Sequence, residues 1–154
     1  MIRLKIANLN KRFRLNEDFV KALVRDVVRH VAMRGGELSI VFLGRKGIQG
    51  LNRKFRREDS STDVISFHMD DREVLPKMSF GDVFISLDAA KENARIFNSS
   101  FERELVLYII HGILHLSGYD DERPRDRARM RKKENEILAH ICKARDLSKV
   151  LIQP

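Results

Sequence analysis

The chemistry most readable in this chain lies in the stretch HGILHLSGYDD, where His111 and His115 stand four residues apart and Asp121 follows. On an α-helix, positions i and i+4 project from one face about one turn apart, so two imidazoles can grip a single ligand. The flanking residues, ELVLYIIHGILHL, are otherwise apolar, and a neutral imidazole set in them has a donor and an acceptor nitrogen to satisfy. A metal ion takes the acceptor of each ring. Ser117 and Gly118 end the helix, glycine being the residue that most easily turns left-handed, and the reversal returns Asp121 toward the pair. A lone buried histidine reads most simply as a core residue bonded to a backbone carbonyl, and GYDD alone as a turn. The pair, the glycine and the returning carboxylate together point to a site for one divalent cation.

Two histidines and one carboxylate leave a coordination position for water, as catalytic zinc sites do. A cation there lowers the pKa of water from about 15.7 to about 7 and polarises a phosphoryl oxygen. The spacing is similar to the metzincin frame H-E-x-x-H-x-x-G-x-x-H, with Gly112 in place of the glutamate and Asp121 in place of the last histidine. In peptidases with this helix the glutamate is the general base. Glycine accepts no proton, so peptide hydrolysis is disfavoured.

The elements that must position these residues follow from periodicity. MIRLKIANLN alternates like a half-buried strand. Asn16 caps a helix whose Phe19, Val20, Leu23, Val24, Val27, Val28 and Val31 form one apolar face. ELSIVFLG is a strand, and RKGIQGLNRKFRRED is a helical stretch with an apolar stripe of Ile48, Leu51 and Phe55 and a cationic opposite face. TDVISF and FGDVFIS are short strands separated by a loop, HMDDREVLPKMS. A helix runs from Asp88 to Asn98. The stretch SSFE then offers a capping box, Ser99 at the N-cap and Glu102 at N3, for the histidine-bearing helix. A last helix, from Pro124 to about Ala144, is studded with Arg and Lys. The order β-α-β-α-β-β-α-α-α predicts one α+β domain over residues 1–154. In it a mixed sheet of about four strands is covered by helices, with the zincin-like metal-binding helix at the centre.

Composition bounds the rest. A net charge of +8 biases the molecule toward polyanions, because each Lys or Arg meeting a phosphate releases counterions. With 34% of residues charged, a solvated, ion-pair-rich surface of the thermophile kind is the competing explanation. The one cysteine, Cys142, forms no intramolecular disulfide and no structural zinc cluster, which fits a reducing compartment. The longest uncharged stretch, Leu105 to Tyr119, is too short to span a bilayer, and the N-terminus lacks the apolar core of a signal peptide. The expectation is a cytoplasmic protein with no membrane partner.

HGILHLSGYDD resembles the signature H-G-x-L-H-L-x-G-Y-D-H of the YbeY family, bacterial endoribonucleases of ribosomal RNA maturation and ribosome quality control. LNRKFRREDSSTDVISF is similar to that family's L-N-x-x-Y/F-R followed by T-D-V-L-S-F, FGDVFIS to its G-D-I/V-x-I-S strand, and SLDAAKENA fits as well. The resemblance covers most of residues 50–121. It implies metal ligands at His111, His115 and Asp121, and a functional arginine at Arg56. A planar guanidinium suits a phosphodiester because it makes two parallel charge-assisted bonds. Arg53, Lys54 and Arg57 beside it would bind substrate. The family's third histidine is Asp121 here; the implied Zn(II) site is thereby harder, and Fe(II), Mn(II) or Ni(II) come within its range. Where the family often has proline, this chain has His68, which inherits no role. Asp63, Asp82 and Ser66 follow family positions but read equally as turn or strand-end residues.

The resemblance further implies RNA, not DNA, as substrate: a single-strand-preferring cleavage in maturing the 3′ end of small-subunit ribosomal RNA. The small ribosomal subunit and its assembly factors would be partners. Water and the RNA 2′-hydroxyl both stand open as nucleophile. Two alternatives belong to other classes: a non-catalytic ribosome-assembly module with a structural metal, and a metal hydrolase of small substrates with a narrow pocket.

Overall fold

The computed structural model describes residues 2–31, 35–56, 64–68 and 81–152. Four strands, β1 (Ile2–Asn8), β2 (Gly36–Leu43), β3 (Val64–His68) and β4 (Gly81–Ser86), form one mixed sheet in the order β1-β2-β4-β3. β1 and β4 flank β2 in parallel, while β3 closes the edge antiparallel to β4. Parallel neighbours need a crossover, and α1 (Glu17–His30) supplies it between β1 and β2. The remaining helices are α2 (Arg45–Leu51), α3 (Leu87–Ile96), α4 (Phe101–Leu116) and α5 (Pro124–Ala144). This is the expected α+β architecture, in the expected order of elements. The loop expected between β3 and β4 lies almost wholly outside the described residues.

The core forms where the periodicities meet. Leu38, Ile40 and Phe42 of β2 and Val83 and Ile85 of β4 are fully buried, as are Val20, Leu23, Val24 and Val27 of α1. Asn16 caps α1 as read from sequence, its side chain accepting from Phe19 N at 3.2 Å. From Glu104 to Leu116, α4 is buried except at Leu107, His111 and His115, so the apolar helix is central and its histidines mark the edge that reaches solvent. In α5, Met130, Ile137, Leu138 and Ile141 bury one stripe and the arginine-rich faces stay in water. The segment between β1 and α1 also meets the segment after α5: Leu15 bridges Leu151, Asn16 N donates to Val150 O and Ile152 N to Arg14 O.

Two local expectations are corrected. The N-cap of α4 is Ser100, not Ser99: Ser100 is extended and its Oγ accepts from Arg103 N at 3.1 Å. Ser99 is already committed to closing α3, where Asn98 turns left-handed at φ 54° and Ser99 N donates to Ala94 O. Glu102 therefore stands at N2, and no Ser99–Glu102 capping box forms. Phe101, now the first helical residue, stacks on Phe13 with ring centroids 4.9 Å apart. The second correction concerns the cationic helix, which does not run on regularly. After Leu51 it widens into a π-helical turn over Asn52–Arg56, with Asn52 buried and Arg53 and Lys54 exposed.

Packing between α4 and the sheet is close at Gly112. A Cβ built on Gly112 would stand 2.5 Å from Val83 Cγ1 and 3.3 Å from Val64 Cγ1, and Ser66 Oγ donates to Gly112 O at 3.2 Å. Gly112→Ala should therefore destabilise by about 1–3 kcal/mol through overpacking. In urea denaturation, Gly112→Ala with Val83→Ala should cost less than the sum of the two single changes, because the second makes room for the first.

His30 and His140 pack edge to face across α1 and α5, with centroids 4.6 Å apart. Burial, then the nearby charges of His140 and Lys133, holds the His30 imidazole below its ordinary 6.5, against an opposing pull from Asp26. The unfolded chain thus binds this proton more readily than the folded one. The stability concerned is complete above the unfolded value and is lost as pH falls through the folded one. His30→Gln should flatten the decline in unfolding free energy measured by urea from neutral pH downward.

Candidate metal centre

The site is built at the C-terminal end of α4. Gly118, at φ 106°, ends the helix in a Schellman turn: its N–H donates to His115 O at 3.2 Å and Tyr119 N donates to Leu114 O at 3.0 Å. The next residues are fixed by their own polar groups. Asp120 Oδ1 accepts from the N–H of Asp121 at 2.7 Å and of Glu122 at 3.2 Å. Arg127 Nη1 donates to Glu122 O at 2.9 Å, and the Arg129 guanidinium lies 5.6 Å from the Tyr119 ring centre. The turn therefore returns from α4 in one defined path into α5, which begins with Pro124 at its first turn.

That path carries Asp121 to the two histidines. Asp121 Oδ2 is 3.6 Å from His111 Nε2 and 3.4 Å from His115 Nε2, and one ligand atom from each of the three residues lies within 4.8 Å of the others. Both separations exceed the roughly 2.7–3.2 Å of a good N–H···O bond. They are close to the roughly 3.3–3.5 Å between ligand atoms that share a tetrahedral ion at about 2.0–2.2 Å. The donors thus fit a metal ion. The rings meet edge to face at 80°, and the three side chains are 28–41% exposed, which leaves one side open to solvent.

His111, His115 and Asp121, separated in sequence, are brought together. Arg53 and Lys54 are exposed on the π-helical turn, whose last residue in the backbone is Arg56. Arg57 and Asp63 lie outside the described residues. Asp82 is buried in β4, paired in register with Phe67 and Ser39, and Ser66 ties β3 to the helix at Gly112. His68 is the last residue of β3, opposite Gly81. The place where a metzincin has its glutamate is filled by contact with Val83. Glu134 of α5 was missed: its Oε1 lies 3.2 Å from His111 Nδ1. The signal was present in sequence, since Glu134 interrupts the apolar stripe of Met130, Ile137, Leu138 and Ile141.

A mixed sheet, a buried central helix with His at i and i+4, and a carboxylate returned by a glycine turn define a zincin-like α+β domain able to hold one metal ion. Residues 5–142 match the family described as Endoribonuclease YbeY. The Endoribonuclease YbeY of Pelotomaculum thermopropionicum is 36% identical over 144 residues, covering 88% of this chain and 95% of that protein. That of Myxococcus xanthus is 40% identical over 129 residues, covering 79% of this chain but 43% of the longer relative. The solution structure of TM1509 from Thermotoga maritima superposes with a TM-score of 0.64 at 29% identity, covering 94% of this chain and 91% of the other. The chain belongs to the Endoribonuclease YbeY family. Among the described residues no helix is long and apolar enough to cross a membrane.

The ligand assignment gives a direct test. Asp121→Ala should abolish uptake of one equivalent of zinc, followed by metal analysis after dialysis. Asp121→His should retain binding and shift preference toward zinc over manganese, a softer donor replacing a harder one. Unchanged affinity in Asp121→Ala would remove Asp121 from the ligand set.

Proposed function

We propose that this chain, as one domain over residues 1–154, is a metal-dependent endoribonuclease that hydrolyses phosphodiester bonds in single-stranded regions of ribosomal RNA. Its place would be the cytoplasm, in maturing the 3′ end of small-subunit RNA and in ribosome quality control. The small subunit and its assembly factors would be its partners. The observation that carries the reading is the convergence of His111, His115 and Asp121 at ion-sharing distances in a chain of this family. The net charge of +8 supports a polyanionic substrate.

Each residue then has a role. His111, His115 and Asp121 hold one divalent cation, zinc in the first instance, with Fe(II), Mn(II) and Ni(II) admitted by the carboxylate. When bound, the cation supplies an acidified water and polarises the scissile phosphoryl group. Arg56 contacts that phosphate and offsets charge that grows in the transition state, while Arg53, Lys54 and Arg57 bind neighbouring phosphates. Gly112 contributes no base, and the nucleophile is either a water acidified by the metal or the RNA 2′-hydroxyl.

The test separates an enzyme from a binding module. With enzyme in excess over RNA, Arg56→Ala should lower single-turnover cleavage by about 10²-fold or more with a smaller effect on affinity, because its contact strengthens in the transition state. Lys132→Ala, on the exposed face of α5, should weaken affinity and leave cleavage of bound RNA intact. Affinity should fall with salt at about −0.7 per phosphate neutralised on a log–log plot. Equal losses of affinity in both variants, with bound-state cleavage preserved, would reduce Arg56 to a surface charge. No cleavage by wild type with any metal would favour the assembly module.

A further inference from the structure

His111 lies between two carboxylates. On one side Glu134 Oε1 is 3.2 Å from Nδ1; on the other Asp121 Oδ2 is 3.6 Å from Nε2. A neutral imidazole has a single N–H, and the two acceptors compete for it. If the proton sat on Nε2, it would point at Asp121 and occupy the lone pair that a metal needs. If it sits on Nδ1, it makes the shorter contact, to Glu134, and Nε2 is left bare toward Asp121 and the cation.

We infer that Glu134 is a positioning residue: by accepting the Nδ1 proton it locks His111 into the tautomer that presents Nε2 to the metal. Two observations place it in this role. The residue breaks an otherwise apolar stripe of α5 at the position between Met130 and Ile137, where a carboxylate costs core burial. Its side chain is only 18% exposed, whereas most charged residues of α5, Arg125, Arg127, Arg129, Arg131 and Lys132 among them, are exposed. A carboxylate kept in such a place must be held by a partner, and His111 is that partner. An acceptor behind a metal-bound imidazole also fixes the ring plane and raises the basicity of the ligating nitrogen.

The inference rests on the metal reading of the site, and two readouts keep the two apart. In metal-free protein, held above the range in which histidine charges, ¹⁵N shifts of the His111 ring report the tautomer without any metal. Wild type and Glu134→Gln, whose amide oxygen still accepts, should show Nδ1–H; Glu134→Leu and Glu134→Ala should move toward Nε2–H. Zinc affinity should then fall about 10–100-fold in the Leu and Ala variants and stay within a few-fold of wild type in Gln. Leucine continues the apolar stripe, so metal-free Glu134→Leu should melt no lower than wild type while binding zinc more weakly. A residue that merely glued α5 to α4 would move both quantities the same way. Should Glu134→Leu fail to fold, Glu134→Ala carries the comparison. An unchanged tautomer and unchanged zinc affinity in these variants would overturn the assignment, whereas a wild-type protein that takes up no zinc but keeps the Nδ1–H tautomer would overturn only the metal reading.

Discussion

Everything in this fold hangs on how closely one helix can lie on one sheet. At Gly112 the backbone of α4 sits against Val83 and Val64 with no space for a side chain, and the Ser66 hydroxyl reaches its carbonyl. That approach buries the apolar length of α4 beneath the strands and, among the described residues, leaves His111 and His115 on its partly exposed edge. The same glycine explains the chemistry that is missing. A catalytic glutamate next to the first histidine would have to occupy volume that the sheet already fills. Here the packing demand and the absence of a peptidase base are one fact.

Charge is arranged around that edge in two layers. The outer surfaces of α5 and of the π-helical turn are cationic, while the metal centre itself is faced by the carboxylates of Asp121 and Glu134. A divalent ion bound between them would be close to electrically balanced, and a polyanion could approach without meeting a net negative site. A family member with histidine at the position of Asp121 would have one negative charge fewer there. The substitution therefore bears on the acidity of a bound water as well as on metal choice.

What could be read in sequence was what is local. The Asn16 cap, the apolar face of α1, the i and i+4 histidines and the glycine turn that returns Asp121 all depend on residues a few positions apart. Their geometry follows from helix and turn rules. Where sequence reading erred, a neighbour decided. Ser99 and Ser100 are chemically the same candidate for a cap, and only the closure of α3 onto Ser99 selects Ser100. The π-helical turn at Asn52 has no periodic signature separable from an ordinary helix. Glu134 meets His111 across two helices, and the only local hint is a charge in an apolar stripe. Gly112 reads in sequence as a lost base, whereas in the fold its contact with Val83 leaves no room for a side chain.

The pairing of Leu15 with Leu151, and of Asn16 and Arg14 with Val150 and Ile152, has a consequence for the order in which the molecule can be made. β1, α1 and β2 emerge before α4 during synthesis, yet they find their core only when α4 has followed, and their outer edge only when the segment after α5 has been released. Until then Val20, Leu23, Val24 and Val27 have no complete surface to cover them. A chain stalled before residues 150–152 thus presents an open apolar face, the state in which nascent proteins are most exposed to misassembly and to chaperone capture.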